Sequence, residues 1–194
     1  SYRSNPLGLA EFTLSRKDPA YVGLAKEIHK AQEALMDGKD PVTVKPELAE
    51  IMDEIHVQFP QAANDNIGFG STIFAVKPGD GSAREQAASC QKVLGGFGNI
   101  CYEYATKRYR SNLINWGMLP FLVKSADVVE NGDWVFVPGI RKVLLEGGEE
   151  ATDYAVHEGT VTSFPVSLGH LTAPERQILA DGCLINYYQH SARK

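Results

Sequence analysis

Between residues 18 and 57 the apolar positions recur every three or four residues, which predicts two amphipathic helices. The first is predicted over 18–38, because Asp18 before Pro19 is a good start and Gly38 a good stop. The second is predicted over about 46–57, and Pro60 closes it. Together they form a predicted helical hairpin. The expected buried positions are Tyr21, Leu24, Ala25, Ile28, Ala31 and Leu35, followed by Leu48, Ile51, Met52 and Ile55.

The spacing of the apolar residues changes after a polar loop over 61–70. Residues 72–76 are a short, nearly continuous apolar run, which is typical of a strand buried on both faces. Strands and helices then alternate, which predicts a parallel sheet with crossover helices. The predicted elements are a helix over 82–94, a strand over 99–102, a helix over 106–116 and a strand over 119–123.

Beyond residue 127 the pattern favours short β segments separated by glycine turns. The turns are predicted at Asn131-Gly132 and Gly147-Gly148. A last helix is predicted to begin at Thr172, where Glu175 three residues later completes a capping box, and to run to about residue 180. The predicted strands are 133–137, 142–145, 154–157 and 160–164.

Composition narrows the class of protein. With 43% hydrophobic and 22% charged residues the chain is typical of globular proteins, and its net charge of -5 argues against nucleic acid as the main partner. It lacks an apolar run long enough for a membrane helix and a signal-peptide pattern, so we expect no membrane partner and a cytoplasmic location. Because the chain opens on Ser1 rather than Met, we expect a processed subunit or a fragment.

The cysteines and histidines do not form a metal-binding pattern. Cys90, Cys101 and Cys183 are odd in number and far apart, which favours a reduced compartment over a disulfide framework or a zinc site. The five histidines are scattered singly, and we assign none of them to a metal.

The segment GDGSAREQAA at residues 79–88 is the main candidate for chemistry. Ser82 and Glu85 form a capping box, so one interpretation is the start of a helix and nothing more. The other is an anion site, because a glycine turn and a helix start at the carboxyl edge of a parallel sheet present unpaired N–H groups. In that case Arg84 would clamp a carboxylate and Ser82, beside fixed positive charge, would act as a base.

Several runs at matching separations resemble a known family. They are 79–87, then Leu94-Gly95-Gly96, then Asn112-Leu113 with Gly117-Met118-Leu119-Pro120, and the closing run 181–186. They are similar to the C-terminal swivelling domain of the aconitase superfamily, which includes the small subunit of isopropylmalate isomerase, where the first run reads G-x-G-S-S-R-E-H-A. The resemblance covers residue 72 to the C-terminus. It implies a three-layer β/β/α swivelling domain within the α/β class, with 1–194 one domain, 72–194 its core and 18–57 an inserted hairpin.

The resemblance also implies site residues and partners. The catalytic base falls on Ser82, while Gly81, Ala83 and Arg84 join the substrate site, and Arg3 is the match for a second substrate-binding arginine. The substrate would be a hydroxy di- or tricarboxylic acid. A 4Fe-4S cluster is expected on other domains or on a partner subunit, with no ligand from this chain. The isolated chain is therefore expected to be inactive.

The chain departs from the family pattern in ways that keep an alternative open. Ala83 replaces a second serine, which removes a hydroxyl whose hydrogen bond is worth roughly 1 kcal/mol. Gln86 replaces the family histidine, and 103–108 replaces its K-S-F-A-R-I stretch. These changes suggest either a divergent hydro-lyase or a non-catalytic module that binds anions or assembles with a partner. A nucleotide-phosphate loop is disfavoured, because the segment lacks the Lys-Ser/Thr pair of a P-loop.

Three further groups of residues have a structural interpretation, and for two of the groups a functional one is also open. The basic run Lys107, Arg108 and Arg110 is expected to be a solvated helix face, with attraction of an acidic ligand as the alternative. Trp116 and Trp134 are expected in the core. Tyr187 and Tyr188 are expected to pack under the last helix or to line an interface.

Overall fold

The computed structural model describes residues 19–62, 67–79, 91–92, 95–125, 127–130 and 132–182. Its helices and strands follow the order predicted from the sequence, with one exception described below. In chain order they are α1 (Pro19–Met36), α2 (Leu48–Gln58), β1 (Ser71–Ala75), β2 (Gly96–Cys101), α3 (Lys107–Asn115), β3 (Leu119–Leu122), β4 (Trp134–Phe136), α4 (Ile140–Leu145), β5 (Glu150–His157), β6 (Thr160–Ser167) and α5 (Ala173–Gly182).

The strands form one mixed six-stranded sheet in the order β1-β2-β3-β6-β5-β4. The first three pair in parallel, as the alternation of strands and helices predicts. The other three pair antiparallel, and β5 and β6 form a long hairpin. The α/β class is therefore confirmed, and the three-layer swivelling arrangement stays a prediction.

The predicted helical hairpin is present and packs on the antiparallel half of the sheet. Gly38 has a φ of +75° just beyond α1, a backbone conformation that favours glycine and ends the helix. The buried face of α1 differs from the prediction near its start, because Leu24 is 51% exposed whereas Val22 is buried. A hairpin cluster of apolar side chains joins both helices to β5 through Ala31, Leu35, Leu48, Met52, Ile55, Ala62, Phe69 and Val156.

A second apolar cluster lies on the other face of β5. Successive side chains of a strand point to opposite faces, so Val156 joins the hairpin cluster while Ala155 joins the second one. There Ala155 packs with Leu144 of α4 and Leu179 of α5. Helices therefore cover both faces of the antiparallel half.

The strand predicted over 142–145 is wrong, because these residues belong to α4. Four apolar and basic residues are too few to separate the helical period from the strand period. Gly147 has a φ of +80°, and the Gly148 N–H donates to the Val143 carbonyl at 2.9 Å, so the turn predicted at Gly147-Gly148 is a helix C-cap.

β1 is not buried on both faces, contrary to the prediction. Its burial alternates, and Phe74 is 44% exposed. The reason is its position, because β1 pairs only with β2 and forms one edge of the described sheet. The core position predicted for Trp116 is also wrong, because this side chain is 42% exposed at the end of α3, whereas Trp134 packs partly buried against the hairpin cluster.

Candidate functional site

The three parallel strands end side by side, and the chain segments that follow them converge. The segment after β2 runs along the segment after β1, because the Glu103 N–H donates to Val76 O at 3.3 Å and the Ala105 N–H to Pro78 O at 2.9 Å. Thr106 then begins α3, its hydroxyl accepting from the Tyr109 N–H at 3.1 Å. The carboxyl edge of the sheet and the start of a helix therefore meet at one place, where open α/β sheets bind ligands.

A shallow depression of about 250 Å³ lies at this edge. Its positive groups are Lys107 and Arg110, on the first turn of α3. Its acidic group is Glu103, whose Oε2 lies 3.5 Å from Lys77 Nζ. The remaining lining residues are Tyr102, Tyr104, Thr106 and Leu122. The depression therefore combines two cations, one carboxylate and two tyrosine rings at the carboxyl edge of the sheet.

The residues of the basic run, Lys107, Arg108 and Arg110, differ in how far they are exposed to solvent. Lys107 and Arg108 are exposed, as expected of a solvated helix face. Arg110 is half-buried, and its Nη2 donates to the Leu168 and His170 carbonyls at 2.9 and 2.7 Å. Its guanidinium is therefore held in place between α3 and the chain leading to α5.

Gly79 brings the chain from β1 onto the first turn of α3. Its φ is +97°, and a Cβ atom added there would lie 2.4 Å from Cγ of Tyr109. The Gly79 carbonyl accepts from the Thr106 hydroxyl at 3.5 Å. Only a residue without a side chain fits this backbone conformation and this approach to the ring.

The cysteine near this edge is not a thiolate nucleophile. Cys101 ends β2, is fully buried, and its sulfur lies 3.7 Å from the Phe121 carbonyl oxygen. Burial raises the pKa of the Cys101 thiol, and it raises the pKa of the Tyr104 phenol well above its usual value. Both groups are therefore neutral near pH 7, and any base at this site must be another residue.

A buried polar network, which the sequence reading missed, lies behind the depression. Gln91 Nε2 donates to Asn99 Oδ1 at 2.6 Å and to Gly98 O at 3.1 Å, and Asn99 Nδ2 donates to the Tyr109 hydroxyl at 2.9 Å. All three side chains are buried. The one signal in the sequence was an asparagine inside an apolar strand.

The predicted site residues Arg3, Gly81, Ser82, Ala83 and Arg84 lie outside the residues that the structure describes. Of the predicted helix over 82–94, only Gln91 and Lys92 are described, and both are helical. Cys90, Cys183, Tyr187 and Tyr188 also fall outside the described ranges.

Comparisons of the chain with protein-family models and with curated proteins found no match. Within the described ranges, no three His, Cys, Asp or Glu side chains are arranged to hold a metal ion. None of the described helices has the length and apolarity needed to cross a bilayer.

Replacing Gly79 with alanine is expected to destabilise the protein more than the same change at Gly132. Both glycines have a positive φ, +97° and +94°, but an added Cβ meets the Tyr109 ring at Gly79 and open space at Gly132. We expect a loss of about 1 kcal/mol for Gly132→Ala and about 1 to 2 kcal/mol more for Gly79→Ala, from denaturant unfolding. Equal losses for the two variants would show that the ring does not confine Gly79.

Proposed function

We propose that this chain is the substrate-side swivelling domain of an aconitase-like hydro-lyase, with the three-layer β/β/α arrangement of that family. One observation carries the proposal: Gly79, the first residue of the GDGSAREQAA run, lies at the carboxyl edge of β1 against the first turn of α3. The first residue of the run therefore lies at the edge where open α/β sheets bind ligands. The reaction would remove water from a hydroxy di- or tricarboxylic acid and add it back.

In this mechanism Ser82 takes the proton from the carbon next to a substrate carboxylate. Arg84 clamps that carboxylate through its planar fork of donors, and Arg3 contacts a second one. Gly81 and Ala83 line the site, and backbone N–H groups at the helix start stabilise the developing negative charge.

Positive charge near the site has to be local, because the chain as a whole carries a net charge of -5. Lys107 and Arg110 beside the depression supply it. Hydrogen bonds to two backbone carbonyls already hold the Arg110 side chain. Binding of an acidic ligand to it therefore costs little further conformational entropy.

The proposed function assigns the iron-sulfur cluster to partner domains, and Cys101, the cysteine among the described residues, is not proposed as a ligand. Cys101 is buried as a neutral thiol, and a cluster ligand must be a thiolate. When bound by partner domains, the 4Fe-4S cluster supplies the Lewis acid for the departing hydroxyl. The chain's own residues bind the acid and move its proton.

The second candidate is a non-catalytic module that binds anions or assembles with a partner chain. Ala83 and Gln86 favour it, since two polar groups of the family site are missing or changed. Glu103 favours assembly with a partner over anion binding, because a carboxylate in the depression weakens the binding of an acid.

The proposal is tested by assaying this chain alone and together with cluster-bearing aconitase-like domains. Hydration of cis-aconitate, followed by the loss of its ultraviolet absorbance, is expected with the assembled protein and not with the chain alone. Turnover by the isolated chain would contradict the proposal that the cluster-bearing domains are required for activity. No turnover by the assembled, cluster-loaded protein, together with binding of a tricarboxylate, favours the module.

A further inference from the structure

The negative charge of the chain is concentrated in the helical hairpin over residues 19–62. This stretch contains four lysines against eight aspartates and glutamates, a net charge of -4, whereas the whole chain carries -5. One of these lysines, Lys45, already has two counter-charges, because its Nζ lies 2.6 Å from a carboxylate oxygen of Glu27 and 2.6 Å from one of Glu47. The hairpin therefore presents an acidic surface on a chain whose remaining residues are nearly neutral.

A cleft of about 550 Å³ lies along α2 in this hairpin. One face of α2 lines it, because the lining residues of this helix are three or four positions apart. They are Ala49, Met52, Asp53 and His56. Asp40, in the connection between α1 and α2, also lines the cleft. The cleft shares no lining residue with the depression at the carboxyl edge of the parallel strands.

The lining of the cleft combines buried apolar groups with exposed carboxylates. Met52 and Ala62 are buried members of the hairpin cluster, so the cleft reaches the packed core between the helices and β5. Asp40 and Asp53 are exposed. Among the described residues, no lysine or arginine lines the cleft. A ligand that carries a positive charge next to an apolar group therefore matches both parts of this lining.

Contacts within the protein hold the cleft in shape. The ring of Phe59, which follows α2, packs edge-to-face on Phe136 of β4 and on Tyr154 of β5, with ring centroids 5.2 and 5.0 Å apart. His56 Nε2 forms a hydrogen bond with the Ala62 carbonyl, which ties α2 to the chain that leaves it. Because the hairpin is fixed on the sheet in this way, a ligand that binds in the cleft orders little of the protein.

We propose that this cleft docks a basic segment of a partner protein, in which lysines or arginines stand next to apolar side chains. The apolar side chains contact Met52, and the cations pair with Asp40 and Asp53. The sign of the charge disfavours a nucleic acid, and the apolar lining favours a peptide over a small cation. The proposal does not depend on the proposed function, because it rests only on the hairpin.

An NMR titration of the isotope-labelled whole chain with a peptide of alternating lysine and leucine tests the proposal. The amides of 40–42 and 49–56 are expected to shift. The double variant Asp40→Asn with Asp53→Asn is expected to raise the Kd about 5- to 10-fold, because it removes both counter-charges. Asparagine at 40 still accepts from the Val42 N–H, a bond of 3.1 Å to Asp40 Oδ1. The matched control, Glu33→Gln with Glu50→Gln, removes two exposed hairpin carboxylates outside the cleft and is expected to change the Kd less than about twofold.

Two further peptides separate docking in the cleft from general attraction to negative charge. A peptide of lysine and glycine lacks the apolar side chains, and a peptide of glutamate and leucine reverses the charge. Both are expected to bind at least about fivefold more weakly than the lysine–leucine peptide. Equal binding of the lysine–glycine peptide, equal effects of the two double variants, or no shifts at about 1 mM peptide would overturn the proposal. Sedimentation of the protein alone gives the last test, because a dimer that the Asp40 and Asp53 double variant dissociates would identify a second copy as the occupant and overturn the choice of a different partner.

Discussion

Replacing Asp153 with asparagine is expected to remove a loss of stability that this carboxyl causes as pH rises from about 4 to about 7. Asp153 lies on β5 with its side chain fully buried, and neither carboxyl oxygen has a hydrogen-bond partner among the described residues. It shares the face of β5 that Ala155 contributes to the second apolar cluster. Burial raises the pKa of Asp153 from 3.8 to about 7.

The direction of this pH dependence follows from whether the folded or the unfolded state holds the Asp153 proton. Between these two pKa values the folded protein keeps the Asp153 proton, whereas the unfolded chain has lost it. Each pH unit in this window therefore lowers the free energy of unfolding by up to about 1.4 kcal/mol, or on the order of 4 kcal/mol in all. Below the window the contribution is fully present, and above it the contribution is lost.

Denaturant unfolding of wild type and Asp153→Asn across this pH window measures the effect. The asparagine has nearly the same shape and cannot ionise, so the variant is expected to be about 2 to 4 kcal/mol more stable than the wild type above pH 7 and nearly equal below pH 4. Asp127→Asn, which changes an exposed carboxyl, is the control for net charge. A stability difference between wild type and Asp153→Asn that does not vary with pH would show that the carboxyl does not titrate inside the core.

Replacing Ser82 with alanine is expected to lower turnover of the assembled, cluster-loaded protein by a factor of about 10² to 10⁴. The proposed mechanism makes the serine oxygen the base, and a methyl group cannot take a proton. Binding of a tricarboxylate is expected to persist, because Arg84, Lys107 and Arg110 are unchanged. Steady-state kinetics and calorimetric binding of citrate check the two expectations.

The matched control is Ser163→Ala, which removes an exposed hydroxyl on β6 away from the carboxyl edge of the parallel strands. It is expected to keep wild-type turnover. Cluster content is measured in all three proteins, so that lost turnover is not mistaken for a lost cluster. Equal turnover in Ser82→Ala and the wild type would rule out Ser82 as the base, and loss of citrate binding would show a structural role instead.

Local signals accounted for most of the helices and for the parallel half of the sheet. The capping box at Thr172 is present as predicted, with the Thr172 N–H donating to Glu175 Oε1 at 2.9 Å and the Glu175 N–H donating to Thr172 Oγ1 at 3.3 Å. α1 and α2 occupy the predicted stretches, since their apolar period extends over many residues. The strands β5 and β6 are longer than predicted, because cross-strand pairing extends them beyond their most apolar residues.

The candidate site was predictable only in part. The sequence predicts that the GDGSAREQAA run follows a strand and contains the start of a helix. Of the residues around it, β1 is a strand and Gln91 and Lys92 are helical. The Gln91-Asn99-Tyr109 network was not foreseen, because its three members come from separate elements and none belongs to a local motif. The burial of Asp153 was not predicted either, since the burial of one carboxyl depends on which distant segments pack over it.

The sequence by itself determined the periods of the helices, their caps and the order of strands and helices, because these depend on residues close together in the chain. Only the tertiary structure decided that β1 forms an edge, that 140–145 is a helix, and that Gln91, Asn99 and Tyr109 share one buried hydrogen-bond network. Those features depend on which distant segments of the chain become neighbours in the fold. The neighbouring segments decide whether an apolar run is buried and whether a buried polar group has a hydrogen-bond partner.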